Sequence, residues 1–135
     1  VEAGEQLYQQ LDTALEQFAL DAALGAIWDL VAIANKYVVE VQPWVLAKQR
    51  ADPAIELRLA TTLYNLVETL RLVAHALAAF LPATAEGITH QLGIALDSDS
   101  ALRDVLTWGR YYSGTAVRPA AVLFPKVELP DGVVR

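Results

Sequence analysis

The chain has 135 residues, 55% of them apolar and 19% charged. That is long enough to bury one compact core and too apolar for a disordered segment. It contains no cysteine, which excludes disulfide scaffolds, thiolate zinc sites and cysteine nucleophiles. Its net charge of −6 counts against a nucleic-acid binder that works mainly by neutralising phosphates. It leaves room for one that stacks on a few unpaired bases.

The first ten residues are acidic and polar, unlike a signal peptide. The longest apolar run, Leu72–Leu81, is interrupted by His75 and is about half the ~20 residues a membrane span needs. The expectation is a cytoplasmic protein with no membrane contact.

In chain order, Leu7, Leu11, Ala14, Leu15 and Phe18 recur at helical spacing and predict a first amphipathic helix over Glu5–Phe18. Leu20, Leu24, Ile27, Val31, Ala34, Val38 and Val41 then step by threes and fours. They predict a second helix from about Asp21, its expected cap, to Val41. Pro43 must stop it, because the residue before a proline is pushed out of the α region. Pro43–Lys48 then has the form of one further turn with proline in first position.

Asp52-Pro53 opens a third helix in the same way. Ile55, Leu59, Leu63, Leu66, Leu70, Val73, Leu77 and Phe80 form its core stripe, and Pro82 closes it. A shorter helix over about Ala83–Leu92 ends at Gly93 in a C-cap role. Beyond it lie a polar cap at Asp97–Ser100, one or two helical turns within Ala101–Thr107, and a stretch rich in Gly, Pro and aromatics. Val122–Pro125 reads as an extended tail. With no repeat and no linker, residues 1–135 read as one domain. Helices of this kind gain stability by burying apolar faces against one another. The fold class is therefore all-α: an antiparallel helix bundle with an extended C-terminal tail packed on it.

No catalytic constellation is visible. His75 and His90 fall on different predicted helices, with no carboxylate at ligand spacing, and read as structural histidines rather than metal ligands. Asp97 and Asp99 read as caps rather than an acid/base pair. Gly109 and Gly114 do not form a phosphate loop.

One ordered set of residues carries a resemblance. Asn35-Lys36-Tyr37 ends the second helix, Pro43-Trp44 follows, then Ala47-Lys48. Downstream come Leu63-Tyr64, Leu70-Arg71, Phe80-Leu81-Pro82, Gln91-Leu92-Gly93 and Leu123-Phe124-Pro125-Lys126. Together these resemble the helical anticodon-binding domain of the methionyl-tRNA synthetases, class I aminoacyl-tRNA synthetases, over nearly the whole chain. The resemblance implies a non-catalytic domain that reads the CAU anticodon of a methionine-accepting tRNA. A separate catalytic domain of the same chain would use ATP, with zinc as a second candidate cofactor, to charge that tRNA in protein biosynthesis. It implies no catalytic residue, metal or cofactor in this segment.

The resemblance assigns base contact to Trp44, its angle to Pro43, and neighbouring roles to Asn35, Lys36, Tyr37 and Lys48. The family also has an upstream reading helix, with an Asn followed four residues later by an Arg. No such pair occurs here, so the domain is expected to be incomplete at its N-terminus.

Read from the residues alone, Trp44 has two meanings. It could fill the core, but its place after a helix end and a proline, outside the apolar stripes, favours exposure. No acid lies between Val41 and Ala51, while Lys48 and Arg50 are basic and Lys36 lies about two turns upstream. That is either a basic pocket around an exposed aromatic or cations complementing a helix dipole. Trp28, beside Ile27, Leu30 and Val31, reads as core. Trp108, Tyr111 and Tyr112 read as tail packing. The remaining alternatives are a helical protein-interaction module and the domain of another class I synthetase, such as a cysteinyl or leucyl enzyme. The Asn-Lys-Tyr, Pro-Trp and Ala-Lys set favours methionine.

Overall fold

The computed structural model describes residues 2–119 and 122–126. Its elements are α1 (Glu2–Glu16), α2 (Leu20–Val41), α3 (Pro43–Lys48), α4 (Pro53–Leu77), α5 (Pro82–Gln91) and α6 (Leu102–Val105). No strand occurs among the described residues, and the all-α bundle read from periodicity is what forms. α1 packs on α2, α2 on α4, α4 on α5, and the short α3 lies against α4.

Local chemistry explains most boundaries. Asp52 caps α4: its Oδ1 accepts from the Ala54 N–H at 2.9 Å, with Pro53 in first position. Such a cap contributes about 1 kcal/mol. α2 behaves differently. Its N-cap is Ala19, and Asp21 makes no capping bond but supplies negative charge in the first turn. Phe18 was expected on the buried stripe of the first helix. It lies instead in the turn after α1, with φ 55° and 89% of its surface exposed. Gly93 takes φ +73° just beyond α5, and the Ile94 N–H returns to the Thr89 carbonyl. This is the left-handed helix ending that glycine favours.

The core is made by Leu7 and Leu11 of α1, Ala23, Ile27 and Leu30 of α2, Leu72, Val73 and Leu77 of α4, and Val105 and Leu106 around α6. Trp28 is not part of it. The helical step turns its ring away from Ile27 and Leu30, and it is 56% exposed. The α4 stripe is also only half used: Val73 and Leu77 are buried, whereas Leu63 and Leu70 are 47% and 44% exposed.

Leu20–Lys48 is long and apolar enough to cross a membrane by length and composition, its 18-residue window reaching a mean hydropathy of 1.4. The longest apolar run, Leu72–Leu81, does not reveal it. A left-handed break at Gln42 interrupts it, and Asp21, Asp29, Lys36 and Glu40 lie along it. Ala23, Ala26, Ile27 and Leu30 are buried within the bundle.

The segment after α5 is anchored by an ion pair inside the bundle. Glu68, fully buried, accepts from Arg71 Nε and Nη2 at 2.9 and 2.8 Å. It also accepts from the backbone N–H groups of Gly109, Arg110 and Tyr111 at 2.6, 3.1 and 3.1 Å. Arg71 donates in turn to the carbonyls of Val105 and Thr107. Tyr111 donates its hydroxyl to the Leu92 carbonyl at 2.9 Å. Tyr111 is thus buried and Trp108 half-buried, as tail packing requires, while Tyr112 is 81% exposed. Further on, the Arg118 N–H donates to the Gln91 carbonyl. Leu123 lies over Gly87, where an added Cβ would stand 2.7 Å from its Cδ2.

Candidate nucleic-acid interface

The sequence places its leading aromatic at the junction of α2 and α3. Gln42 closes α2 with φ 51° and ψ 63°, its N–H returning to the Val38 carbonyl, and it is also the N-cap of α3. Pro43 has no N–H to satisfy and a φ preset for helix, so it starts the new helix at once. A bend therefore precedes Trp44, which would otherwise have continued along α2. Nothing in α3 is fully buried. Trp44 is 52% exposed, and Lys48, four residues on, rises one turn along the same helix face. An indole that is half held by protein and half open is suited to stacking on an unpaired base.

Asn35, Lys36 and Tyr37 are consecutive, so the helix fans them out at about 100° intervals. Asn35 and Lys36 are exposed, and Tyr37 turns inward to α4. Its hydroxyl donates to Thr62 Oγ1 and accepts from Asn65 Nδ2, both at 3.5 Å. Thr62 passes its own proton to the Arg58 carbonyl at 2.8 Å. Tyr37 thereby joins α2 to α4, a contact that the Asn-Lys-Tyr spelling alone does not reveal. Lys36 Nζ lies 3.8 Å from Glu40 Oε1, both well exposed. Such a pair contributes little to stability, but it offsets the cation within its own turn. Pro43 is half-buried.

Across residues 36–58 four cations (Lys36, Lys48, Arg50, Arg58) meet three carboxylates (Glu40, Asp52, Glu56). This end of the bundle is slightly positive in a chain whose net charge is −6. The surplus is too small for phosphate neutralisation to dominate binding of a nucleic acid at this end.

Among the described residues no cluster of His, Asp and Glu could hold a metal ion. His75 is buried and fully engaged: Nδ1 contacts the Arg71 carbonyl at 2.8 Å and Nε2 accepts from the Asp97 N–H at 3.3 Å. Its partner Asp97 caps its own turn, accepting from Asp99 and Ser100 N–H groups at 3.2 and 3.0 Å. Burial above all depresses the His75 pKa below 6.5, outweighing the Arg71 carbonyl, which raises it. Burial pushes the Glu68 carboxyl up. The Arg71 guanidinium and the Arg110 and Gly109 amides more than reverse this and hold it below 4.5. Neither group faces the α2–α3 junction in sequence or by contact, and both act in folding.

Comparison with known proteins bears directly on this geometry. A family model described as the anticodon binding domain of methionyl tRNA ligase matches residues 2–131. The chain belongs to this family. Methionine–tRNA ligase of Clostridium acetobutylicum is 43% identical over 123 residues, covering 91% of this chain and 18% of the relative. That of Bacillus subtilis is 36% identical, covering 96% and 19%. The crystal structure of apo methionyl-tRNA synthetase from Mycobacterium tuberculosis superposes with a TM-score of 0.67 at 35% identity. It covers 96% of this chain and 27% of that one. The chain therefore spans about a fifth of the length of the curated relatives it matches. The aminoacyl-tRNA synthetase resemblance read from the Asn-Lys-Tyr and Pro-Trp elements is borne out, as is the anticodon-binding class of domain.

Proposed function

We propose that this anticodon-binding domain reads the CAU anticodon of a methionine-accepting tRNA on behalf of a catalytic domain in the same polypeptide. In this reading the parent is a cytoplasmic methionine–tRNA ligase that uses ATP. Zinc, if the parent carries it, belongs to the catalytic part, and the present segment holds no catalytic residue.

The observation that carries the reading is the half-exposed Trp44, set on a separate short helix by Gln42 and Pro43. A loop base lies flat on the indole. Lys48, one turn along, meets the phosphate next to that base. Asn35, exposed on the preceding helix, has both a donor and an acceptor to offer a base edge. Lys36 adds a screened cation. Tyr37 serves the site indirectly, by fixing α2 against α4 and so fixing where α2 ends.

Each stacked base contributes roughly 1–3 kcal/mol, which corresponds to about 5- to 150-fold in affinity. In the full-length ligase, Trp44→Ala should lower kcat/KM for tRNA charging within that range. Methionine-dependent pyrophosphate exchange, which needs no tRNA, should stay unchanged. Equal charging by variant and parent would remove Trp44 from the reading site.

A further inference from the structure

We infer that Arg58 of α4 holds a phosphodiester of the anticodon loop, through a contact separate from the Trp44 stack and from the phosphate met by Lys48. The inference rests on the reading that this end of the bundle receives that loop.

The first observation is which cations the fold leaves free. Arg71 is taken up by Glu68 and by the Val105 and Thr107 carbonyls. Arg103 lies 3.6 Å from Glu5 and 5.6 Å above the Tyr8 ring. Arg110 donates to the Asp104 carbonyl at 2.7 Å, and Lys36 faces Glu40. Among the described residues, the exposed side chains of Lys48, Arg50 and Arg58 make no hydrogen bond or ion pair within the domain. All three fall between the end of α3 and the second turn of α4. A cation with a partner must give it up to bind a phosphate, whereas these three give up only water.

Of the three, Arg58 has its backbone fixed in a long helix. Thr62 Oγ1 donates to the Arg58 carbonyl at 2.8 Å and accepts from Tyr37 of α2 at 3.5 Å. α2 and α4 run antiparallel here: Tyr37 meets Thr62 and Asn65, while Leu30 and Ile33 share a cavity with Leu66 and Thr69. Arg58 is one turn, about 6 Å, from Thr62 toward the start of α4. It is therefore level with the last turn of α2, beside the Gln42–Pro43 junction from which α3 carries Trp44. Its spacing from Asn65 is two helical turns, so both lie on the flank of α4 turned to Tyr37. The carboxylates nearest it in sequence do not compete for it. Asp52 is engaged in the cap of α4, and Glu56 lies about 200° round the helix.

The side chain's chemistry selects the acceptor. A guanidinium presents its N–H groups in one plane and matches two oxygens of a single phosphate at once. The base edge of that same shape belongs to guanine, and CAU contains none. The small charge surplus at this end suits one or two phosphates that fix the loop's position, rather than a track along the backbone.

The test measures binding of a methionine-accepting tRNA to the full-length ligase by fluorescence anisotropy across a salt series. Arg58→Gln should lower the slope of log affinity against log salt by about 0.7, so that an about fourfold rise in salt weakens it about threefold less than the parent. Arg58→Lys keeps the charge and should keep the slope. Arg103→Gln, on α6, is the control and should match the parent. tRNAs assembled with a single neutral methylphosphonate on a deoxynucleotide of the loop, each compared with the same deoxynucleotide bearing a phosphate, then locate the contact. One position should weaken the parent and Lys48→Ala yet leave Arg58→Gln unaffected. A parental slope in Arg58→Gln, an equal loss in Arg103→Gln, or a variant that responds to every substitution as the parent does overturns the proposal. Trp44→Ala reports on the stacking itself and should weaken binding about 5- to 150-fold with the slope intact. A weakened Trp44→Ala beside a silent Arg58→Gln removes Arg58 alone. A neutral Trp44→Ala beside the matched methylphosphonate removes the stack and leaves Arg58 in place.

Discussion

Arg71 and Glu68, three residues apart on α4, hold the chain on both sides of Trp108: Arg71 donates to the Thr107 carbonyl at 2.7 Å, and Glu68 accepts from the Gly109 N–H at 2.6 Å. The ring at position 108 thereby lines a cavity between α2 and α4, with Leu30, Ile33 and Leu66. The pair is buried and every side-chain nitrogen and oxygen on it has a hydrogen-bond partner, the condition under which a buried ion pair stabilises rather than merely persists.

Removing one partner should therefore be severe. Glu68→Gln leaves the Arg71 charge buried and unpaired and weakens three backbone bonds. It is expected to lower unfolding stability by about 3–5 kcal/mol, measured by urea denaturation of the full-length ligase followed at the fluorescence transition of this domain. Unchanged stability would mean that water replaces the carboxylate at no cost.

The pH dependence follows from His75. The Asp97 N–H is a donor, so Nε2 must carry the lone pair and Nδ1 the proton that goes to the Arg71 carbonyl. Protonation would remove that acceptor. Burial and the Arg71 and Arg110 charges oppose the added charge and outweigh the Arg71 carbonyl and Asp97, which favour it. Since the folded pKa lies below 6.5, the stabilisation is complete above about pH 6.5. It is lost as pH falls through that value toward the folded one. Glu68, also depressed, adds a second loss only below about pH 4.5. The slope of unfolding free energy between pH 7 and pH 5, measured by denaturant titration, should become shallower in His75→Gln.

Gly93 is constrained twice. Its φ of +73° disfavours any side chain, and an added Cβ would stand 2.3 Å from the Ala116 carbonyl oxygen. Gly93→Ala should cost about 1–3 kcal/mol and loosen the crossing of the 115–118 segment over α5. Faster amide exchange at Arg118, whose N–H is held by the Gln91 carbonyl, would report this. Retained protection would show that the crossing absorbs a methyl group.

Lys48 and Tyr37 separate contact from support. Lys48→Ala is expected to reduce the salt slope of tRNA binding by about one counterion. Tyr37→Phe loses only two long hydrogen bonds and should change stability by under about 1 kcal/mol, with charging close to that of the parent. A large charging defect in Tyr37→Phe, with stability intact, would move that hydroxyl into the reading site.

Much of this could be read from the chain because the signals were local. Asp52-Pro53 specifies its own cap, and Pro43 both ends one helix and begins another, so Trp44's separate turn was visible without coordinates. The bundle followed from stripes at helical spacing. Trp28 and Phe18 were misplaced for different reasons: Trp28 is turned about 100° round the helix from its buried neighbour Ile27, and α1 ends at Glu16, before its stripe reaches Phe18. The Glu68–Arg71 anchor was hidden because its other partners are backbone groups forty residues downstream, and backbone hydrogen bonding leaves no trace in residue type. Tyr37's inward turn depends on Thr62 and Asn65, likewise distant in sequence. Each of the missed contacts is a pairing between segments rather than a property of one.

The left-handed residue between α2 and α3 is a glutamine, not a glycine. A single torsion at Gln42 decides the direction in which the neighbouring short helix leaves its parent, and the indole is carried along like the tip of a lever. Residues that accept positive φ, Gly or Asn, should preserve the reach of that lever when placed at position 42. A β-branched residue such as Val resists that torsion and would swing the ring off its target while leaving every candidate contact residue chemically intact.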